Sequence, residues 1–257
     1  MDKNLLNQMS VDIILPNYNS YPFLEETLES IINQTFKNWK LYIADANSDT
    51  KTKETLKKYN NHQNINIIWL KENKKPGFCR NLLLKNSKSE YVAFVDSDDL
   101  WEKEKLSKQL NFMIKNKFDF TYTNYTAFKS EGKENDYKKI YAPKYFTFEK
   151  FIKNTSIGTS TMIIKREVIG NIEFTNTKIC EDYFFKCQIL KKIKHAYCLP
   201  EYLTKYRIRK DSLQSNKIRN FYWIWYINKN YNHLSFLKNL FSVLCISINS
   251  IKKYGFK

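Results

Sequence analysis

YVAFVDSDDLW, residues 91–101, is the stretch on which the reading of this chain turns. Tyr91, Val92, Ala93, Phe94 and Val95 are apolar or aromatic, and two of them are β-branched, which predicts a short buried strand. The strand runs directly into Asp96, Ser97, Asp98 and Asp99. Carboxylates gathered at a strand end repel one another, so such a cluster is costly unless a cation neutralises it. Asp96 and Asp98 are one residue apart and reach the same ion if the chain turns there. With no His or Cys beside them, they suit a hard divalent cation, Mn or Mg, rather than zinc. The same residues also fit a solvated acidic turn in which Asp99 caps a helix from Glu102 onward.

Working outward, residues 11–15 predict a first strand, stopped by the turn-rich Pro16, Asn17, Tyr18 and Asn19. A helix follows, with Phe23, Leu24, Leu28, Ile31 and Ile32 at helical spacing. Residues 41–44 predict a second strand ending at an acidic, polar run, 45–49, and residues 50–59 a polar helix. Residues 65–70 predict a third strand; the chain breaks at 73–77 and continues as a helix over 80–87. Strand, turn and helix thus repeat before the acidic cluster, which predicts an α/β fold with a mostly parallel sheet and helices on both faces. In such sheets ligands bind beyond the carboxyl ends of the strands. The polar clusters at 16–19, 45–49 and 96–99 all fall there, on one edge. The chain has no G-x-G-x-x-G and no G-x-x-x-x-G-K-[ST], so neither glycine-rich phosphate cradle is present.

Beyond residue 110 the pattern changes. Strands are predicted over 118–125 and 160–165, a mobile polar loop over 130–144 and a short helix over 147–154. Glu181 and Asp182 open a helix that runs through 183–191; short strands are predicted over 195–199, with His195 in the core, and over 203–209. From Phe221 the chain is aromatic and basic. Residues 240–251 are apolar for only about a dozen positions, short of the ~20 needed to span a bilayer.

The chain has 257 residues, is 42% hydrophobic and 16% aromatic, and carries a formal charge of +17. Residues 205–257 hold eleven Lys or Arg against one acid, Asp211, so +10 of that charge lies in the last fifth of the chain. A basic, aromatic end suits an anionic membrane surface at least as well as nucleic acid. Five cysteines without C-x-x-C spacing imply neither a disulfide framework nor a zinc site, and point to a reducing compartment. Residues 1–10 are polar and lack the apolar core of a signal peptide.

The opening VDIILPNYNSYPFLEETLESIINQTFKNWKLYIADANSD, then GFCRN, then YVAFVDSDDLWEKEKLSKQ, resembles the inverting family-2 glycosyltransferases of the GT-A fold, as found in bacterial enzymes that build lipopolysaccharide, capsule and other surface glycans. The resemblance covers residues 10–210 and is densest over 11–110. It implies a nucleotide-diphospho-sugar donor, a UDP-sugar in the first instance, with a Mn or Mg ion, and a lipid-linked or surface-glycan acceptor. Pro16, Asn17 and Tyr18 match the loop that lines the nucleotide pocket. Asp45 matches the first acid of the segment written DDGS, with Ala46 and Asn47 in place of its second acid and glycine. Arg80 and Asn81 match the arginine–asparagine pair at the donor, and Asp96 and Asp98 the metal motif, with Asp98 as the direct ligand. Glu181 and Asp182 match the acidic pair at the acceptor, with Asp182 as catalytic base and Glu181 raising its pKa. Thr159 and Ser160 fall in the segment before the acceptor-side strand, and Arg207 in one that closes over the donor diphosphate.

The resemblance implies a GT-A domain over 1–210, its nucleotide-sugar half about 10–100 and its acceptor half about 101–210. Residues 211–257 then form a basic, aromatic, helical tail for peripheral attachment to the inner face of the cytoplasmic membrane. Each residue also has a plainer reading. Glu181 and Asp182 fit any helix N-terminus, Arg80 a surface ion pair, and Trp223, Trp225, Tyr226 and Tyr231 simple packing. The charge alone would also fit a nucleic-acid-binding protein, and paired carboxylates a nucleotidyltransferase. The tail has no nucleic-acid-reading motif, so no nucleic-acid partner is expected.

Overall fold

In a computed structural model the protein is described over residues 8–129, 137–209 and 217–254. The sheet is built from β1 (Val11–Asn17), β2 (Trp39–Asp45), β3 (Ile65–Trp69), β4 (Tyr91–Phe94), β5 (Leu100–Trp101), β6 (Phe120–Lys129), β7 (Lys138–Ile140), β8 (Tyr145–Phe146), β9 (Ile163–Lys165) and β10 (Ala196–Ile208). Their order is β3-β2-β1-β4-β9-β6-β10-β5, with β7 on β6 and β8 on β10. The ladders are parallel from β3 to β4 and again between β6 and β10. β9 joins the two halves by pairing antiparallel with both β4 and β6. The helices are α1 (Leu24–Ile32), α2 (Thr50–Lys57), α3 (Pro76–Asn86), α4 (Lys105–Asn116), α5 (Phe148–Phe151), α6 (Arg166–Ile169), α7 (Glu181–Lys192), α8 (Lys217–Asn230) and α9 (Phe236–Tyr254).

The alternation of the strands sorts the core into two layers. On β1, Ile14 joins the cluster under α3, α7, α8 and α9, whereas Val11, Ile13 and Leu15 join the one under α1, α2 and α4. On β4, Val92 and Phe94 face the first layer and Tyr91, Ala93 and Val95 the second. Both faces of these strands are buried, which is why they read as continuous apolar runs.

Several boundaries differ from expectation for identifiable reasons. β1 does not stop at Pro16: β2 holds it through the Asn17–Asp45 register pair. The helix expected from Glu102 starts at Lys105 behind Glu104, and β5 occupies 100–101 instead. Asp99 is therefore not an N-cap; its side chain is buried. The two strands expected at 195–199 and 203–209 are one, β10, with register shifts between Leu199 and Thr204 at Pro200. A proline cannot donate to the ladder, so it sits in the irregularity. His195 precedes that strand, half-buried between the rings of Tyr145 and Tyr197 rather than in the core. The loop expected over 130–144 contains β7, and its residues 130–136 lie outside the described residues.

The basic C-terminal stretch, described from residue 217, is a helical hairpin packed on the first core layer. Ile224, Ile227 and Ile246 are buried in that layer. A buried polar chain fastens it further: the Tyr183 hydroxyl donates to Asn228 Oδ1 at 2.8 Å, and Asn228 Nδ2 donates to Ser242 Oγ at 3.0 Å. Ser242 in turn donates to the Ile152 carbonyl. Truncating Ile227, which has no exposed surface, to Ala is expected to cost about 2–4 kcal/mol, read by urea unfolding. A hairpin that only trailed from the domain would leave the midpoint unchanged.

Candidate active site

Two polar clusters form at the carboxyl edge of the sheet, one where β1 and β2 end and one between the end of β4 and the start of α7. At the β1–β2 end, Asp45 is fully buried. Its Oδ1 accepts from Asn17 Nδ2 at 2.8 Å and from the Ser48 hydroxyl at 2.5 Å, and its Oδ2 accepts from the Ser48 amide at 3.1 Å. Asn47 takes a left-handed backbone, φ 59°, where the matching motif has glycine. Ala46 is buried in the core layer that also holds Cys79 and Leu83, a place where an acid would be desolvated. Tyr18 stands exposed at the rim, while Pro16 is enclosed within β1.

Beyond β4 each acid of the cluster has a different partner. Asp96 Oδ1 accepts from Arg80 Nη2 at 2.7 Å, and Arg80 Nη1 reaches Glu181 Oε1 at 2.7 Å. Arg80, on α3 and 4% exposed, thus ties the acidic turn to the start of α7. Its guanidinium lies over the Phe174 ring, 5.3 Å from the centroid, and its Nε has no hydrogen-bond partner. Asp98 pairs with Arg209 at 3.1 Å. Burial pushes its pKa up, the neighbouring Asp96 charge adds to this, and Arg209 opposes both. Asp99 accepts from the Ser160 hydroxyl and from the Arg207 amide, the latter at 2.9 Å. Burial, then its two acidic neighbours, raise its pKa well above the carboxylate range.

α3 approaches α7 closely because residue 77 is glycine. A Cβ there would lie 2.8 Å from the Thr175 carbonyl oxygen and 3.0 Å from Glu181 Cγ. Asn81, one residue after Arg80, donates to the Phe174 carbonyl at 2.9 Å and accepts from the Phe174 amide at 2.8 Å. Both ends of its amide are so engaged, and it positions the ring beneath Arg80. Cys180, the residue before α7, is left-handed with φ 61°, a strained turn for a residue with a Cβ. It aims Glu181 and Asp182 at the cluster beyond β4.

Asp182 Oδ2 accepts from Lys186 Nζ at 2.7 Å and from Thr159 Oγ1 at 3.0 Å, leaving Oδ1 clear of both. Lys186, 3% exposed, also donates to the Ile157 carbonyl at 2.9 Å. Burial pushes the Asp182 pKa up, but Lys186, with Arg80 and the Thr159 hydroxyl, together outweigh it and hold the group at about 2. This reverses the expectation that Glu181 raises it. It is Glu181 whose pKa rises, through burial, against the pull of Arg80.

The expected acceptor residues divide. Thr159 is bound to Asp182, whereas Ser160 is 2% exposed and joins Asp99 to the Asp96 amide, which donates to its hydroxyl at 3.0 Å. Arg207 is sandwiched between Phe23 and Phe128, each ring centroid 4.6 Å from its guanidinium carbon. It donates to the Asp98 carbonyl at 2.8 Å and to Glu26 at 2.6 Å. Sequence reasoning missed Lys186, Arg209 and Glu26. The first had a signal, since a Lys four residues after an Asp shares its helix face.

Among the described residues no group of three or more His, Cys, Asp or Glu is arranged to hold a metal ion. The donor set that faces outward is Asp96 and Asp98. Two carboxylates without nitrogen or sulfur fit Mg or Mn, which keep waters and substrate phosphates as their other ligands. They do not fit a closed structural site.

Replacing Lys186 by Met is expected to destabilise the protein by about 3 kcal/mol at neutral pH, because it leaves a buried carboxylate unpaired. The native pair stabilises above the ordinary aspartate pKa of 3.8 and is lost as pH falls towards about 2. In the variant the Asp182 pKa rises instead, so ionisation opposes folding above about 4. The stability gap between the two proteins therefore narrows below pH ~4, which unfolding curves against pH read directly.

Residues 12–172 match the family model for Glycosyl transferase family 2. The putative teichuronic acid biosynthesis glycosyltransferase TuaG of Bacillus subtilis is 34% identical over 244 residues, 95% of this chain and 96% of that one. The UDP-Glc:alpha-D-GlcNAc-diphosphoundecaprenol beta-1,3-glucosyltransferase WfgD of Escherichia coli is 28% identical over 96% of this chain and 95% of its own. Among solved structures, S. aureus TarS 1-349 in complex with UDP-GlcNAc superposes with a TM-score of 0.73 at 23% identity, over 97% of this chain and 74% of that one. The mannosyltransferase PcManGT of Pyrobaculum calidifontis, in complex with GDP-Man and Mn2+, superposes with a TM-score of 0.69 at 14% identity, over 97% and 76%. Both share the α/β architecture described above, which is the GT-A fold. With the matched residues spanning more than half of the chain and TuaG aligned along almost all of it, the protein belongs to glycosyl transferase family 2.

Proposed function

We propose that this chain transfers a sugar from a nucleotide-diphospho-sugar, a UDP-sugar in the first instance, with inversion, to a polyprenyl-diphosphate-linked glycan of a surface-polysaccharide pathway. The observation that carries this is the Arg80 bridge: one buried guanidinium joins Asp96 of the acidic turn to Glu181, next to Asp182. Donor chemistry and acceptor chemistry then lie side by side. The relatives WfgD and WfaP, named for UDP-Glc and a diphosphoundecaprenol-linked GlcNAc, support the substrate class.

The residues divide the work as follows. Tyr18 at the rim offers a face for the base, and Asn17 is fixed beneath it by Asp45 and Ser48. Asp96 and Asp98 would hold a Mn or Mg ion, which supplies charge stabilisation to the departing nucleoside diphosphate. Arg80, held by Asp96 and Glu181, adds a fixed positive charge beside the acidic turn. Asp182 is ionised throughout the physiological range, and its Oδ1 takes the proton of the acceptor hydroxyl as that oxygen attacks the anomeric carbon. A carboxylate held at about 2 is a weak base at rest. Loosening of the Lys186 contact as the acceptor arrives raises its basicity.

No helix among the described residues is long and apolar enough to cross a membrane. α9 instead exposes Leu237, Leu240, Phe241, Leu244 and Ile248 along one stripe. It has Lys252 and Lys253 in its last turn and no acid in its sequence. Such a helix lies in the interface of an anionic bilayer. We read it as the peripheral anchor at the inner face of the cytoplasmic membrane, where lipid-linked acceptors reside.

The test is a transfer assay with UDP-sugars, Mn and a GlcNAc-diphosphate-lipid acceptor. Asp182→Asn is expected to lower kcat by about 10²–10⁴, the usual worth of a general base, while donor binding by calorimetry is retained. An Asp182→Asn enzyme within threefold of wild type would remove Asp182 from the mechanism.

A further inference from the structure

A recess of about 260 Å³ opens between β7 and the end of α9. Lys138 and Lys139 line it from β7, Lys252 and Lys253 from α9, and Asn154 and Ser156 from the segment after α5. No lining residue is acidic. Lys139 turns its ammonium over the Tyr202 ring, 5.1 Å from the centroid, which leaves Lys138, Lys252 and Lys253 to gather positive charge at the cavity with no acidic partner within the lining. Lys253 is partly buried, and burial alone pushes its pKa down to about 8. An arriving anion would raise it again. The recess is built rather than incidental: Asn249 of α9 donates to the Lys153 carbonyl at 3.0 Å, and Lys138 Nζ reaches the Lys252 carbonyl at 3.5 Å.

Its surroundings differ on two sides. On one, the apolar stripe of α9 runs from Leu237 to Ile248, about 16 Å at 1.5 Å per residue. Lys252 lies one turn after Ile248 on the same face. On the other, Ser156 leads directly to Ile157, whose carbonyl accepts from the Lys186 that holds Asp182. From Ser156 to Thr159 the backbone spans at most about 11 Å. Hydrocarbon surface, then a cluster of cations, then the proton-accepting carboxylate thus follow one another in space.

We propose that the lysine recess binds the diphosphate of the acceptor, with the acceptor's hydrocarbon chain leaving along α9 and its sugar entering beside Asp182. This rests on the transfer reading above and assigns to the C-terminal hairpin a part in acceptor recognition beyond attachment. The lysines act as point charges, which suits a flexible diphosphate better than a planar carboxylate.

The direct probe is inorganic pyrophosphate, titrated by calorimetry into the full chain after UDP and Mn have filled the donor pocket. Lys138→Gln/Lys252→Gln changes two exposed side chains, and Lys57→Gln, an exposed lysine on α2, is the control. The expected result is pyrophosphate binding weakened about tenfold in the double variant and unchanged in the control. Equal affinity in all three proteins overturns the proposal. Flotation with phosphatidylglycerol vesicles separates the other source of phosphate: if the double variant loses vesicle binding but keeps pyrophosphate binding, the recess serves lipid headgroups and the proposal falls. In the transfer assay, the KM preference for a diphosphate-linked over a neutral alkyl-linked acceptor should drop about tenfold in the double variant. The same KM rise for both acceptors contradicts it. Failure of the transfer reading itself looks different: wild type turns over neither acceptor, and the pyrophosphate titration still decides the recess.

Discussion

The structure depends on how three carboxylates at the end of β4 are kept together. Without counter-charge, Asp96, Asp98 and Asp99 would force the turn apart or lose their ionisation. The fold meets this with three separate arrangements. Arg80 reaches Asp96 from α3, Arg209 reaches Asp98 from beyond β10, and Asp99 is sealed inside on Ser160 and the Arg207 amide. The partners come from α3, from Ser160 and from the end of β10, so forming the turn draws the N-terminal and later parts of the chain together. Asp99 thereby becomes the structural member of the cluster and leaves Asp96 and Asp98 facing outward.

The same logic runs in reverse on the other side of Arg80. Glu181 and Asp182 are adjacent in sequence but are treated oppositely. Glu181 is buried against the arginine, whereas Asp182 turns to Lys186 and stays ionised. Adjacent titratable groups whose environments push them apart are the usual sign of divided roles. Here one acid pairs with the guanidinium, and the other is held through Oδ2 by Lys186 and Thr159. Gly77 and the left-handed Cys180 are the backbone features that permit this spacing.

Much of this was legible in the sequence. The strand-and-turn rhythm through β4 is strong because those strands are buried on both faces, and the polar ends of β1, β2 and β4 converge as the parallel topology requires. What was hidden is pairing over long sequence separations. Nothing local in Asp98 points to Arg209, nor in Asp99 to Ser160, so Ser160 read as an acceptor contact and Asp99 as a helix cap. Asn81 likewise read as a donor contact, whereas its amide is engaged with the backbone of Phe174. Pro200 made one strand look like two, because the irregularity that accommodates it breaks the periodicity. The C-terminal hairpin read as a basic end. Its inward face, Ile224, Ile227 and Ile246 with a buried Asn228–Ser242 bond, emerges only when the layer it covers is known.

We infer that Arg209 neutralises Asp98 in place of a cation that arrives with the donor. The most direct test is calorimetric titration of UDP into the wild-type chain and into Asp98→Ala, each with and without Mn. If Arg209 holds the place of a metal ion, UDP binding strengthens at least tenfold with Mn in wild type, and the metal effect is absent in Asp98→Ala. Equal UDP affinity with and without Mn in wild type, or a metal effect that survives in Asp98→Ala, would contradict that role for Asp98.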